Sequence, residues 1–318
     1  MIIAQALLFK NRFRIVEVAD EQIECDKFSF HKTILSTHCS SAFSTPDSHY
    51  LESDDIATLC SDFLQVGPYS SLLEARITMQ EWLKWLDKGL RAARYISDKK
   101  SESAYLINLG NALVNSGKSL EGLVYFIEAR ELSLEIDARQ LLGRALGSIG
   151  NAYAEAGQEE QAVNYYNQAL EVFREIGDQR SEGAVLTNLG LEYRKSGDTL
   201  RAIQNHSEAL AIARKVGDWR GEGIRIGDLG NAYAQAGELS KAARNHKDAL
   251  KTLKKLGDRL EISRARWNLS RVLAMQGNFT TAIREAETAV EYFHLINHPV
   301  EDEILLSLVE WTNAQGDE

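Results

Sequence analysis

Apolar residues recur along this chain with two superimposed periods, and the shorter one is helical. In the stretch RSEGAVLTNLGLEYRKS, Leu186, Leu189 and Tyr193 share one face. In LRAIQNHSEALAIARKV the apolar positions are Leu200, Ile203, Ala209, Leu210, Ile212 and Val216. The spacing predicts two helices of about 15 to 17 residues. Asp178 caps the first, and Gly197 and Gly217 supply the left-handed residue that ends each. Two such helices joined by two or three residues pack as an antiparallel hairpin. The first helix of a hairpin is called A and the second B.

The longer period is forty residues. Gly110, Gly150, Gly190, Gly230 and Ser270 stand in register, as do Gly117, Gly157, Gly197, Gly237 and Gly277. Gly122, Ala162, Ala202, Ala242 and Ala282 form a third register, and Ala129, Ala169, Ala209, Ala249 and Ala289 a fourth. No insertion interrupts them. A period of this size marks a solenoid whose hairpins bury their apolar faces by stacking on their neighbours. A glycine inside a helix costs about 1 kcal/mol relative to alanine, so its recurrence predicts close backbone approach at Gly190, with Ala202 serving the same purpose on helix B. The helix A stripes, such as Leu146, Ile149 and Tyr153, are expected to be core.

The small, aromatic and glycine positions of NLGNALVNSGKSLEGLVYFIEA and its later copies resemble the tetratricopeptide repeat family. The pairs Gly177-Asp178, Gly217-Asp218 and Gly257-Asp258, together with the missing late proline, resemble its long-helix subtype. That subtype occurs in spindle-orientation adaptors, kinesin light chains and the sensor arrays of bacterial signal-transducing (STAND) ATPases. The resemblance spans residues 79 to 314. It implies an all-α, right-handed superhelical solenoid of antiparallel helix pairs. The expected organisation is an irregular segment over 1–60, a degenerate leading repeat over 61–98, five repeats over 99–298 and a capping helix over 299–318. In the capping helix Ile304, Leu305, Leu308 and Trp311 are expected to cover the last repeat while acidic residues face water.

Composition narrows the function classes. The chain has 318 residues, 44% of them hydrophobic, and a net charge of -10. That balance opposes general affinity for nucleic acid or for an anionic membrane surface. The three prolines, Pro46, Pro68 and Pro299, lie outside the five-copy array, so its helices run unbroken. Cys25, Cys39 and Cys60 precede the repeats as an unpaired odd set, which predicts free thiols and a cytoplasmic location. The opening MIIAQALLF lacks the basic lead of an export signal.

In stacked repeats of this kind helix A lines the inner surface. The inward positions give a candidate peptide-binding groove of Asn111, Arg144, Asn151, Arg194, Lys195, Asn231, Arg264, Trp267 and Arg271. Counting charges sets Arg144, Arg194, Lys195, Arg264 and Arg271 against Glu155, a cationic surface on an acidic chain. Arginine forks bind carboxylates, and asparagine amides can donate to and accept from a peptide backbone. Asn111, Asn151 and Asn231 occupy one equivalent site, similar to the asparagine ladder of related repeat proteins, with Leu191 and Arg271 breaking it. The competing reading is a merely solvated face.

Three sharper signals dissolve on inspection. The run Ala112 to Ser119 falls one residue short of a phosphate-binding P-loop, and its Gly117 is the repeated turn glycine. Cys25, His31, His38, Cys39, His49 and Cys60 lack the paired short loops of a zinc site. His206 and His246 share a helix B position with Phe126 and Tyr166, and are expected to pack between repeats. No metal, cofactor or catalytic constellation emerges. The expected function is an adaptor that binds a peptide or protein segment, acidic in character. The alternative is the ligand-sensing arm of a STAND-type ATPase.

Overall fold

A computed structural model describes residues 78–316, all within the unit Ser61–Glu318. Readings that concern residues 1–77, including the three cysteines, His31, His38 and His49, lie outside the described residues. Every described element is a helix. In chain order they are α1 Met79–Tyr95, α2 Lys99–Asn115, α3 Ser119–Glu135, α4 Arg139–Glu155, α5 Glu159–Ile176 and α6 Gln179–Lys195, then α7 Thr199–Lys215, α8 Trp219–Gln235, α9 Leu239–Leu256, α10 Arg259–Met275, α11 Phe279–Leu295 and α12 Val300–Gly316.

Local chemistry sets the ends of these helices. Asp98, Asp178, Asp198, Asp218 and Asp258 each accept a hydrogen bond from the backbone N–H three residues on, at 2.8 to 3.2 Å. Each satisfies a donor that the first turn would otherwise leave orphaned, and places negative charge at the positive end of the helix dipole. Thr78 does the same for α1 in a reciprocal capping box with Glu81. The turn inside the third hairpin passes through Gly197 at φ +83, and the turn leaving it through Gly217 at φ +70. At the positions equivalent to Gly217, Ser97, Asp137 and Asn297 adopt the same left-handed region without being glycine, with φ between 50 and 59.

Helices α2/α3, α4/α5, α6/α7, α8/α9 and α10/α11 form the hairpins, with α1 as a leading B helix and α12 as a following A helix. Each of the first four hairpins is closed by a ring seated on a glycine. Phe126 lies over Gly110, Tyr166 over Gly150, His206 over Gly190 and His246 over Gly230. The histidines therefore pack inside their own hairpins, not between repeats as expected. Inter-repeat cohesion comes instead from apolar clusters that run from one hairpin to the next, such as Leu142, Leu170, Phe173, Val185 and Leu189. On the surface, Arg174 of α5 donates to Glu182 of α6 at 2.9 Å and pairs with Glu208 of α7, and Arg94 repeats the pattern with Glu102 and Glu128.

The capping helix only partly matches expectation. Ile304 is fully buried with Phe293, and Leu308 and Trp311 pack against the same cluster. Leu305, expected to cover the last repeat, is 45% exposed, and Leu306 and Val309 are more so. As an A helix, α12 has one flank against α11, and no described B helix covers the other.

Curvature follows from which helices meet. Each A helix touches its successor, α2 with α4, α4 with α6, α6 with α8 and α8 with α10, whereas consecutive B helices make no comparable approach. The A helices therefore line the inside of an α-solenoid that turns in one sense.

Candidate functional site

A cavity of about 630 Å³ opens on this inner side among α1, α2, α4 and α6. Its walls include Trp82, Asn108 and Asn111, then Asn151 and Glu155, then Asn188, Glu192 and Lys195. Tyr166 reaches it from α5.

The asparagines are held by specific partners. Ser148 Oγ donates to Asn111 Oδ1 at 3.2 Å, and Asn188 Nδ2 donates to Asn151 Oδ1 at 2.9 Å. The Tyr166 hydroxyl donates to the same Asn151 oxygen at 2.7 Å. The carbonyl oxygens are thus consumed by the protein, and each amide is left with its Nδ2 donors. The expectation of groups that both donate and accept becomes a row of oriented donors. Two of its supports, Ser148 and Asn188, come from a register that sequence reasoning passed over, Asn108, Ser148, Asn188, Asp228 and Asn268, one short polar residue per repeat. Short polar side chains recurring mid-helix, where they are poor helix formers, were the available signal.

Glu192 was also missed. Its equivalents are Ala112, Ala152, Ala232 and Val272. Glu192 is only 3% exposed, its Oε1 accepts from Lys195 Nζ at 2.7 Å, and its Oε2 has no hydrogen-bond partner. Burial, and then the carboxylates of Glu192 and Glu155, push the Tyr166 hydroxyl pKa above its ordinary value. The phenol therefore stays protonated and keeps donating to Asn151.

Further along the solenoid the balance turns cationic. Arg144 is open to water yet ringed by protein on several sides, and desolvation lowers its pKa. Arg194 is half-buried near Arg225 of α8, and both cations act on Asp228. Desolvation nonetheless dominates there, and the Asp228 pKa rises to about 6. Behind Arg194, His206 is fully buried with neither ring nitrogen hydrogen-bonded, and its pKa falls to about 4, through desolvation first and the two arginines second. Gln235 Nε2 donates to the Arg194 carbonyl at 2.9 Å, tying α8 to α6. Asn231 and Arg271 lie on α8 and α10 along the same side, half-buried and exposed respectively.

Two expected groove cations are already neutralised, Lys195 by Glu192 and Arg264 by Glu261 at 3.3 Å. Among the described residues, Arg144, Arg194 and Arg271 enter no ion pair. Trp267, expected on the groove surface, is 5% exposed. It stacks on Trp311 of α12 at 5.7 Å between ring centroids, because the capping helix lays its own aromatic residue across it. Trp267 serves instead as a platform for Arg271, whose guanidinium carbon stands 5.9 Å from the ring centroid.

Among the described residues no helix is long and apolar enough to cross a membrane, and no group of His, Cys, Asp and Glu is arranged to hold a metal ion.

The tetratricopeptide repeat model matches residues 101–175 and 181–255. These residues form tetratricopeptide repeats, a fold that in general serves as a non-catalytic scaffold for protein interaction. Solved structures share the fold at low identity. BtubC (BKLC) from P. vanneervenii aligns with a TM-score of 0.63 at 18% identity, over 70% of this chain and 93% of that one. A STAND protein with a tetratricopeptide repeat sensor, from Pyrococcus horikoshii, gives 0.66 at 17% over 92% of this chain, which spans only 43% of that protein. A Rap protein complexed with Competence and Sporulation Factor gives 0.57 at 12% over 99% of this chain and 92% of that one. No curated protein sequence matches the chain.

Proposed function

We propose that this protein is an interaction adaptor that holds an extended segment of a partner protein along the hollow lined by α2, α4, α6, α8 and α10. The observation that carries the reading is the fixing of Asn111 and Asn151. Their oxygens are held by Ser148, Asn188 and Tyr166, so their amide donors are preset for the carbonyls of a chain that has no internal hydrogen bonds of its own. Acidic side chains of the segment would meet Arg194 and Arg271, two of the three inward arginines that enter no ion pair among the described residues. A partner held this way binds at about micromolar strength, roughly -8 kcal/mol, and weakens with added salt.

The test uses the full chain as affinity bait beside an Arg194→Glu/Arg271→Glu variant with matched circular dichroism. The expected result is a partner retained by the native chain and lost on charge reversal. Capture of the same partner by both would refute the groove assignment.

A second reading, the sensing arm of a STAND-type ATPase, draws on the alignment of 92% of the chain with a sensor-bearing protein of that class. It predicts that the chain alters nucleotide turnover by an ATPase module encoded with it, which a steady-state hydrolysis assay would measure.

A further inference from the structure

The buried carboxylate of Glu192 has no counterpart in the other four copies, where alanine or valine fills the same place. Burying a charge with one oxygen unsatisfied is costly, because the group forfeits hydration and gains nothing in exchange. Lys195 satisfies Oε1 alone, and Oε2 is left without a partner beside the cavity that Glu192 lines. A second carboxylate, Glu155, stands on the same wall, and both act on the Tyr166 hydroxyl. That hydroxyl donates its proton to Asn151, so it does not compensate Glu192. Within the cavity lining two negative charges therefore face one ammonium, that of Lys195. Trp82 supplies an aromatic wall nearby.

A buried carboxylate oxygen that lacks a donor, beside a recess with a second carboxylate and an aromatic wall, calls for a cation with several N–H groups. We infer that this cavity receives a basic side chain of the partner segment, seated on Glu192 and Glu155. The inference rests on the proposed groove reading and refines it. The α1–α6 end would select lysine or arginine, while the α6–α10 end, with Arg194, Arg225 and Arg271, would select acidic residues. An occupant with separated basic and acidic positions would then lie in one direction only, because reversing it would set like charges together.

The probe is a positional-scanning library of N-acetylated, C-amidated dodecapeptides, screened against the full chain, Glu192→Gln and Glu192→Ala. The alanine variant installs the residue that three other copies carry, so its fold is expected to persist, which circular dichroism checks. The native chain should enrich lysine or arginine at a fixed position, together with acidic residues elsewhere. Both variants should lose the basic preference, with about 10- to 100-fold weaker binding of the selected peptides, as expected for one charged hydrogen bond, while keeping the acidic preference.

Enrichment without a basic position, or a basic preference unchanged in both variants, would overturn the inference and leave groove recognition standing. Retention of no peptide by the native chain would overturn both readings.

Discussion

The imidazole of His206 is pressed against Gly190 so closely that a Cβ on that glycine would stand 2.5 Å from the ring's Cε1. The glycine exists for the ring. Gly190→Ala should destabilise the chain by about 1 to 3 kcal/mol through overpacking, and Gly190→Leu should prevent native stacking of the third hairpin. The fifth copy uses the opposite solution, with Ser270 and Ala286 at the equivalent positions, both fully buried. Combining Gly190→Ser with His206→Ala should therefore recover much of the loss. A double-mutant cycle by urea unfolding would show this as a favourable coupling energy. Simple additivity would contradict the proposed contact.

His206 and His246 make the fold acid-sensitive. Burial pushes both pKa values down to about 4, from 6.5 for the free side chain. Between these values the unfolded chain binds protons that the folded chain refuses. The stability these neutral rings confer is complete above about pH 6.5 and is lost progressively as pH falls to about 4, by up to about 3 kcal/mol for each. Asp228 acts in the opposite sense, since its folded pKa of about 6 exceeds its ordinary 3.8 and its contribution is lost as pH rises through that window. Two histidines outweigh one aspartate. His206→Phe/His246→Phe, which adopts the residue found at Phe126, should flatten the acid limb of a plot of melting temperature against pH. An unchanged limb would contradict the assignment.

Tyr166 joins the core to the groove through its hydrogen bond to Asn151. Tyr166→Phe keeps the ring over Gly150 and should cost only about 1 kcal/mol of stability. It frees the Asn151 amide to turn, so affinity for a groove partner should fall more than stability does. Titration calorimetry beside thermal melts separates the two effects. Equal affinity in the variant would remove Tyr166 from any positioning role.

Arg174 ties three helices together at the surface through Glu182 and Glu208. Its side chain is 46% exposed, so solvent screening limits its worth. Arg174→Met should lower stability by about 0.5 to 1 kcal/mol at low ionic strength, and by little in molar salt. A loss that ignores salt would point to packing of the aliphatic stem instead.

Asp137 occupies a left-handed turn, at φ 50, where the next three repeats place glycine. Asp137→Gly should raise stability by about 1 kcal/mol by relieving backbone strain, partly offset by loss of its hydrogen bond from Arg139 at 3.1 Å. A raised melting temperature checks the sign.

The forty-residue period determined the fold by itself, because everything it encodes is local or repeats identically. Asp178 caps a helix within three residues of itself, Gly197 turns the chain at its own position, and Gly190 announces by its recurrence that something must lie close. The polar register from Asn108 to Asn268 was equally visible in the sequence, yet its meaning was not. Ser148 meets Asn111 and Asn188 meets Asn151 across thirty-seven residues, which only the stacking distance between A helices decides. Lys195 with Glu192 and Arg264 with Glu261 are three-residue pairs within one helix and were open to reading from the sequence, whereas tertiary structure decided that Trp267 lies beneath Trp311. Side-chain pairing depends on where a long, flexible group finds its nearest opposite charge or apolar cover. A repeat pattern fixes backbone positions, but the pairing follows from the particular residues that the superhelix brings face to face.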